Sequence, residues 1–136
     1  MFFENETLSF RLLDVLELKQ ENIAMHNSRR NFNALSFRFR ADTVLTAGEK
    51  EFYLTQQTLS FVPGGLDYSR FAKIDELIVL HFEGGDRDAT EIECFLPRDP
   101  KPFAELFRRI LECWNQKEVG YQYQCAAIFC QIMALC

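Results

Sequence analysis

SFVPGGLDYSR, residues 60–70, decides how the rest of the chain is read. A strand-like run, TLSFV, stops at Pro63, and Gly64 and Gly65 turn the chain, because proline lacks the amide that a central strand needs and glycine accepts the positive φ of a tight turn. Alternation resumes in LDYSRF. Pro63, Gly65 and Tyr68 keep the spacing P-x-G-x-x-H, with tyrosine where the histidine would stand. That spacing usually precedes a metal site inside a small β-barrel. The question is what such a barrel does without the ligating histidine.

Strand signals extend on both sides of this turn. LSFRFR alternates Leu35, Phe37 and Phe39 against Ser36, Arg38 and Arg40, the period of a strand. TVLT, AGEK and EFYL read as a hairpin turned at Gly48. ELIVLHF, residues 76–82, is a nearly continuous apolar run and reads as a well-buried strand. GGDRD makes the next loop and TEIECFL a further strand. Short strands at such regular spacing predict a sandwich or barrel.

At Asp99 the period changes to 3.6. Asp99 suits an N-cap and Pro100 a first helical position. Phe103, Leu106, Phe107, Ile110, Leu111 and Trp114 fall on one helix face. Gly120 interrupts the pattern. A second helix from Tyr121 puts Cys125, Ile128, Phe129, Ile132 and Leu135 on one stripe. It runs to Cys136 with no stop signal, which predicts a natural chain that continues.

Totals narrow the class. The 136 residues make one domain, and 48% apolar residues with fourteen phenylalanines supply a core. No apolar run approaches the ~20 residues of a membrane span. MFFENETLSF has no basic n-region, so it is not a signal peptide. A net charge of −5 argues against this chain gripping nucleic-acid phosphates by itself. The five cysteines, Cys94, Cys113, Cys125, Cys130 and Cys136, include no C-x-x-C; they read as small buried hydrophobes in a reducing cytoplasm.

RRNFNALSFRFR, FYLTQQTLSFVPGGLDYSR, ELIVLHFEG and LPRDPKPFAELFRRILECW, in this order and spacing, resemble the N-terminal effector-binding domain of AraC-type transcription regulators, from about Arg29 to Cys136. The resemblance implies a cupin-like antiparallel β-barrel, a jelly roll, followed by two C-terminal α-helices. Residues 1–98 would form the sensor barrel, and 99–136 a helical dimerisation segment packed on it as one structural unit. The implied function is small-molecule sensing in the cytoplasm. DNA would be reached only through a helix-turn-helix region absent from this chain.

Metal cupins hold their ion with an H-x-H, a Glu and the later His. Residues 36–50 contain no His, Tyr68 replaces the later one, and the only histidines are His26 and His81. A site of three neutral imidazoles is excluded, so neither metal nor other cofactor is expected. What remains is a cavity for one small ligand. The resemblance places Arg40, Arg70, Leu77 and Val79 against that ligand, with Tyr68 in the histidine's position and His81 two residues beyond Val79. Two arginines would favour a carboxylate, phosphate or polyhydroxylated effector.

Plainer readings stand beside these. Arginines alternating with Phe read first as a solvated outer face, and alternation alone does not say which face looks inward. His81 in an apolar run reads as a core histidine. Tyr68 could hydrogen-bond across the barrel mouth. Glu91 and Glu93 read as a solvated strand face. The rival function is a metal-independent cupin enzyme, an epimerase or isomerase with His81 and Tyr68 as acid and base; a third reading is a filled interaction module. The stripe on the second helix predicts a homodimer through Ile128, Phe129, Ile132 and Leu135, pairing about a two-fold axis as the resemblance implies.

Overall fold

The computed structural model describes residues 9–84 and 89–136; the N-terminal stretch to residue 8 and most of the GGDRD loop lie outside the described residues. Six strands and two helices follow one another: β1 (Phe10–Asn27), β2 (Asn33–Ala47), β3 (Lys50–Thr55), β4 (Leu59–Val62), β5 (Tyr68–Gly84), β6 (Glu93–Phe95), α1 (Lys101–Gln116) and α2 (Tyr121–Leu135). All pairings are antiparallel, in the order β1-β5-β2-β4-β6, with β3 also beside β2. This is a jelly-roll-like sheet with two C-terminal helices; its hydrogen-bonded path runs from β1 to β6 without closing.

The two sides of the sheet serve different purposes. Leu35, Phe37, Leu59, Phe61, Ile78, Leu80 and Phe82 form the outer side, and the helices pack there through Phe103, Phe107, Ile110, Cys125, Ile128, Phe129 and Ile132. Phe37 meets Phe107 at 5.8 Å, and Phe129 sits between Phe10 at 4.4 Å and Phe82 at 5.0 Å. Ala34, Leu45, Leu54, Val62, Tyr68, Leu77 and Val79 form the inner side. Covering both faces of β5 from Leu77 to Leu80 explains why that stretch reads as a continuous apolar run. Lower down, the helices no longer cover the outer side, and Phe71 and Tyr53 are exposed.

β1 is a long edge strand that carries too many charged and polar outward residues for its period to announce it. The TEIECFL strand shrinks to three residues. Helix α1 starts one residue later than expected: Pro100 is its N-cap, while Asp99 accepts from the Lys101 amide at 3.4 Å.

The expected dimer stripe needs correction. Ile128, Phe129 and Ile132 are buried within the chain, Ile132 at 0% exposure, and only Leu135 remains open at 47%. The reason is geometric. The stripe on α1 is wide enough to meet both the sheet and α2, so α2 buries its own stripe against Phe10, Phe82 and Ile110 in the same core. Ile132→Glu should therefore abolish cooperative unfolding in urea, because it places an unpaired carboxylate in the core. Leu135→Glu should shift stability by no more than about 0.5 kcal/mol. Equal, small effects would mean that Ile132 is not a core residue.

Candidate functional site

The inner side of the sheet encloses a cavity of about 210 Å³. Its walls come from β1, β2, β4 and β5 and from the β1–β2 loop. A strict alternation does not predict which residues reach it. On β2 the inward residues are Ala34, Ser36 and Arg38, then Leu45; on β5 they are Tyr68 and Arg70, then Leu77, Val79 and His81; on β1, Leu16, Leu18 and Gln20, then Met25 and Asn27. Along the cavity wall, each of these strands changes parity once.

Bulges cause these changes. Between Arg38↔Leu77 and Arg40↔Glu76, β2 carries one extra residue, Phe39; between Asp42↔Ile74 and Thr43↔Ala72, β5 carries Lys73. The β1–β5 ladder skips Asn22 and Lys73 together, and Asn22 sits at φ 51°, in the left-handed region that asparagine tolerates. Phe39 stays on the outer side, beside Phe37 at 5.0 Å and beneath the Arg108 guanidinium of α1 at 4.0 Å.

Arg40 is the casualty of the first bulge. It lies directly opposite Glu76 on the outer side, its side chain is 63% exposed, and it pairs with Glu76 at 3.4 Å. It is not among the cavity residues. Arg38, which the alternation with Phe assigned to a solvated face, is the buried one. Tyr68, Arg70, Leu77, Val79 and His81 all line the same cavity.

The second bulge lets Arg70 and Asp75, an odd number of residues apart, share the inner face. Asp75, at 0% exposure, accepts from Arg38 Nε at 3.0 Å on one oxygen and from Arg70 Nη1 at 2.8 Å on the other. Arg38 Nη1 also donates to Ser60 Oγ at 2.6 Å, and Arg70 Nη2 to Gln20 Oε1 at 2.7 Å. Burial pulls the Arg38 guanidinium below its usual range, against the opposing attraction of Asp75. It nonetheless stays charged, as a guanidinium does in a protein. The cluster thus joins β1, β2, β4 and β5 through charge-assisted hydrogen bonds.

A second polar group sits at Tyr68 and comes from the opening motif. Gly65 has φ 81°, and a Cβ on Gly64 would lie 3.1 Å from the Phe32 carbonyl oxygen, so the turn accepts glycine at both positions for backbone reasons. The turn grips the β1–β2 loop: the Gly65 amide donates to the Arg30 carbonyl at 2.7 Å, the Gly64 amide to Asn33 Oδ1 at 2.9 Å, and the Arg29 amide to Asp67 Oδ1 at 2.8 Å. Arg30 is thereby aimed at the cavity. It donates to the Tyr68 hydroxyl and lies 5.3 Å from the Phe32 ring centre and 5.4 Å from that of Tyr68. His81 stacks on Phe32 at 4.5 Å. Burial, and then the Arg30 charge, push His81 below its ordinary pKa, so the imidazole is neutral at pH 7; Asp14 opposes them.

Among the described residues, no group of three or more His, Cys, Asp or Glu converges as metal ligands would. Burial also pushes the Cys94 thiol up to about 11, which leaves no thiolate nucleophile there at neutral pH. Glu91 lies on the surface, paired with Lys50 at 2.9 Å. Sequence reading missed Arg30, Gln20, Ser60 and Asp75. Asp75, one of two adjacent acids leading directly into the apolar run at residues 77–80, was the one signal that could have pointed to a buried charge.

Two stability effects follow. Asp75→Asn leaves two buried guanidiniums without their carboxylate and should cost about 3–5 kcal/mol in urea unfolding; a loss below about 1 kcal/mol would mean the cluster is open to water. For His81 the folded pKa lies below the unfolded one, so the unfolded chain takes up the proton first. Stability should fall as pH drops below 6.5 and level off once the folded imidazole titrates. His81→Gln should flatten that slope, read from urea midpoints at successive pH values.

By sequence, no family model and no curated protein matches this chain. Solved structures do. A DUF861 family protein from Thermotoga maritima aligns at 14% identity and a TM-score of 0.40, over 50% of this chain and 75% of that one. A cupin-2 domain protein from Shewanella frigidimarina aligns at 14% identity and a TM-score of 0.43, over 58% and 82%. An apo variant of ToxT from Vibrio cholerae aligns at 12% identity and a TM-score of 0.57, over 92% of this chain. The present chain spans only 54% of the ToxT chain, and across that span the two share their fold. At the level of fold, this agrees with the resemblance to the cupin-like sensor domains of AraC-type regulators.

Proposed function

We propose that this chain is the small-molecule sensing and dimerisation domain of an AraC-type transcription regulator, with DNA bound through a helix-turn-helix region outside it. The observation that carries this reading is the double duty of β5. Leu77 and Val79 line the cavity, and Ile78, Leu80 and Phe82, alternating with them, pack beneath the helices. A ligand that moves the inner residues moves the floor of α1 and α2, the elements that would pass the signal onward.

The ligand is small, because the cavity is below the ~300–1,000 Å³ of drug-sized sites. Three arginines line it, which favours an anion or a polyol rich in acceptors. Binding without catalysis fits better than an epimerase: the Tyr68 hydroxyl is held by Arg30, and His81 makes no side-chain hydrogen bond among the described residues to orient it as a base. Homodimerisation would use the other face of α2. That helix has no charged residue, and Tyr123, Ala127, Cys130 and Ala134 recur along its exposed side. A cytoplasmic location fits five unpaired cysteines. No helix among the described residues is long and apolar enough to cross a membrane.

Thermal unfolding with inorganic phosphate, short mono- and dicarboxylates and pentoses tests the sensor. At least one probe should raise Tm. Val79→Trp, which fills the cavity, should remove that shift, and Arg40→Ala should keep it. A shift that survives Val79→Trp would move the site elsewhere. For the dimer, Ala127→Glu should yield a folded monomer by sedimentation; a wild type monomeric at high micromolar concentration would remove the proposed interface.

A further inference from the structure

The cavity holds more positive charge than its own walls answer. Asp75 balances one of the two guanidiniums it touches, so the buried Arg38–Asp75–Arg70 group keeps a net positive charge. Arg30 adds another and has no carboxylate partner among the described residues. Asp14 stands opposite His81 on β1, and its Oδ1 accepts from the Val15 amide at 2.9 Å. His81 is neutral. A partly desolvated cation without a counter-ion is unfavourable, and two of them around one small cavity mark a missing dianion.

The two charges rest on different parts of β5: Arg30 is held by Tyr68, the first residue of the strand, and Arg38 and Arg70 by Asp75, seven residues further along, with Ser60 and Gln20. Leu18, Leu77 and Val79 line the same cavity with hydrocarbon. A single compact dianion would meet one charge and leave the other unpaired. A short apolar chain with an acidic group at each end would meet both.

We propose that the cavity receives a small dicarboxylate, one carboxylate held by Arg30 with the Tyr68 hydroxyl and the other by the donors that Arg38 and Arg70 have left. The volume, 210 Å³, equals that of about seven waters at ~30 Å³ each, which suits a chain of roughly four or five carbons. This rests on the ligand-binding reading above and narrows it to one chemical class.

Succinate and butyrate have the same carbon chain and differ in one carboxylate, so they separate charge from size. By calorimetry and thermal shift, succinate should bind at least about tenfold more tightly than butyrate, since the second carboxylate gains a charge-assisted contact. Arg30→Gln should bring succinate down to the level of butyrate. Tyr68→Phe, which keeps the ring and removes the hydroxyl, should reduce the preference in the same direction and serves if the arginine variant does not fold. Equal binding of the pair, or a preference that survives both variants, overturns the proposal. Inorganic phosphate binding more tightly than succinate, or binding of arabinose alone, also overturns it and leaves the ligand-binding reading intact. No response to any of the four probes overturns both.

Discussion

One fully buried carboxylate, Asp75, governs the arrangement of the inner sheet. An isolated ion at that depth would protonate or draw in water. It is kept as a partner for Arg38 and Arg70, and through their further bonds to Ser60 and Gln20 it ties together four strands that pair only with their immediate neighbours in the ladder. Such a cluster is a poor source of stability compared with packed hydrocarbon, because desolvation consumes most of the Coulombic gain. Its effect is on specificity. Any register of β5 other than the bulged one would point Arg70 and Asp75 to opposite sides of the sheet and leave the buried charge without its partner.

That constraint explains why the bulges lie where they do. A regular strand offers one face to the cavity along its whole length; the three long strands here offer one parity to the upper part and the other to the lower. The switch also bends the strands, and a bend is what an open sheet needs to wrap around a cavity without closing. The same β5 segment carries the cavity on one side and the helical layer on the other. Side-chain packing at interior density absorbs little displacement, so the proposed sensing would pass through this wall between cavity and helices.

The sequence disclosed what periodicity can disclose. Period two located the first part of β2 and the start of β5, the apolar run the rest of β5, Gly48 the hairpin into β3, period 3.6 both helices, and Pro63-Gly64-Gly65 the end of β4 and the turn that holds the Arg30 loop. Periodicity fails at a bulge, because a single inserted residue inverts every assignment beyond it. Hence Arg40, which the resemblance placed against the ligand, lies on the surface, while Arg38, which alternation put on the same face as Arg40, lies inside. Within β5 both halves were assigned correctly as pairs, Tyr68 with Arg70 and Leu77 with Val79 and His81, but only Lys73 puts the two halves on one side. Amphipathicity shows that a helix face must be covered and not what covers it. Ile128, Phe129 and Ile132 could have met a second copy; Phe10 on β1, an edge strand whose pattern is masked by charged outward residues, meets them instead.

The opposite signs of surface and interior complete the picture of selectivity. The chain carries −5 overall, while its cavity is lined by arginines. Surface charge acts at long range and is screened within about 8 Å at physiological ionic strength, so its chief influence is on how often an anion arrives. The arginines act over a few ångströms in a medium that screens little, so their influence is on which anion stays. An acidic exterior disfavours polyanions such as nucleic acid at the approach, where a cationic exterior would collect them. A small ligand of the proposed kind would cross that region at little penalty and meet fixed guanidiniums inside. On the proposed ligand-binding reading, the Tyr68 hydroxyl, which holds Arg30, would restrain a cation already supplied by the chain, where a metal cupin would use an ion from solution.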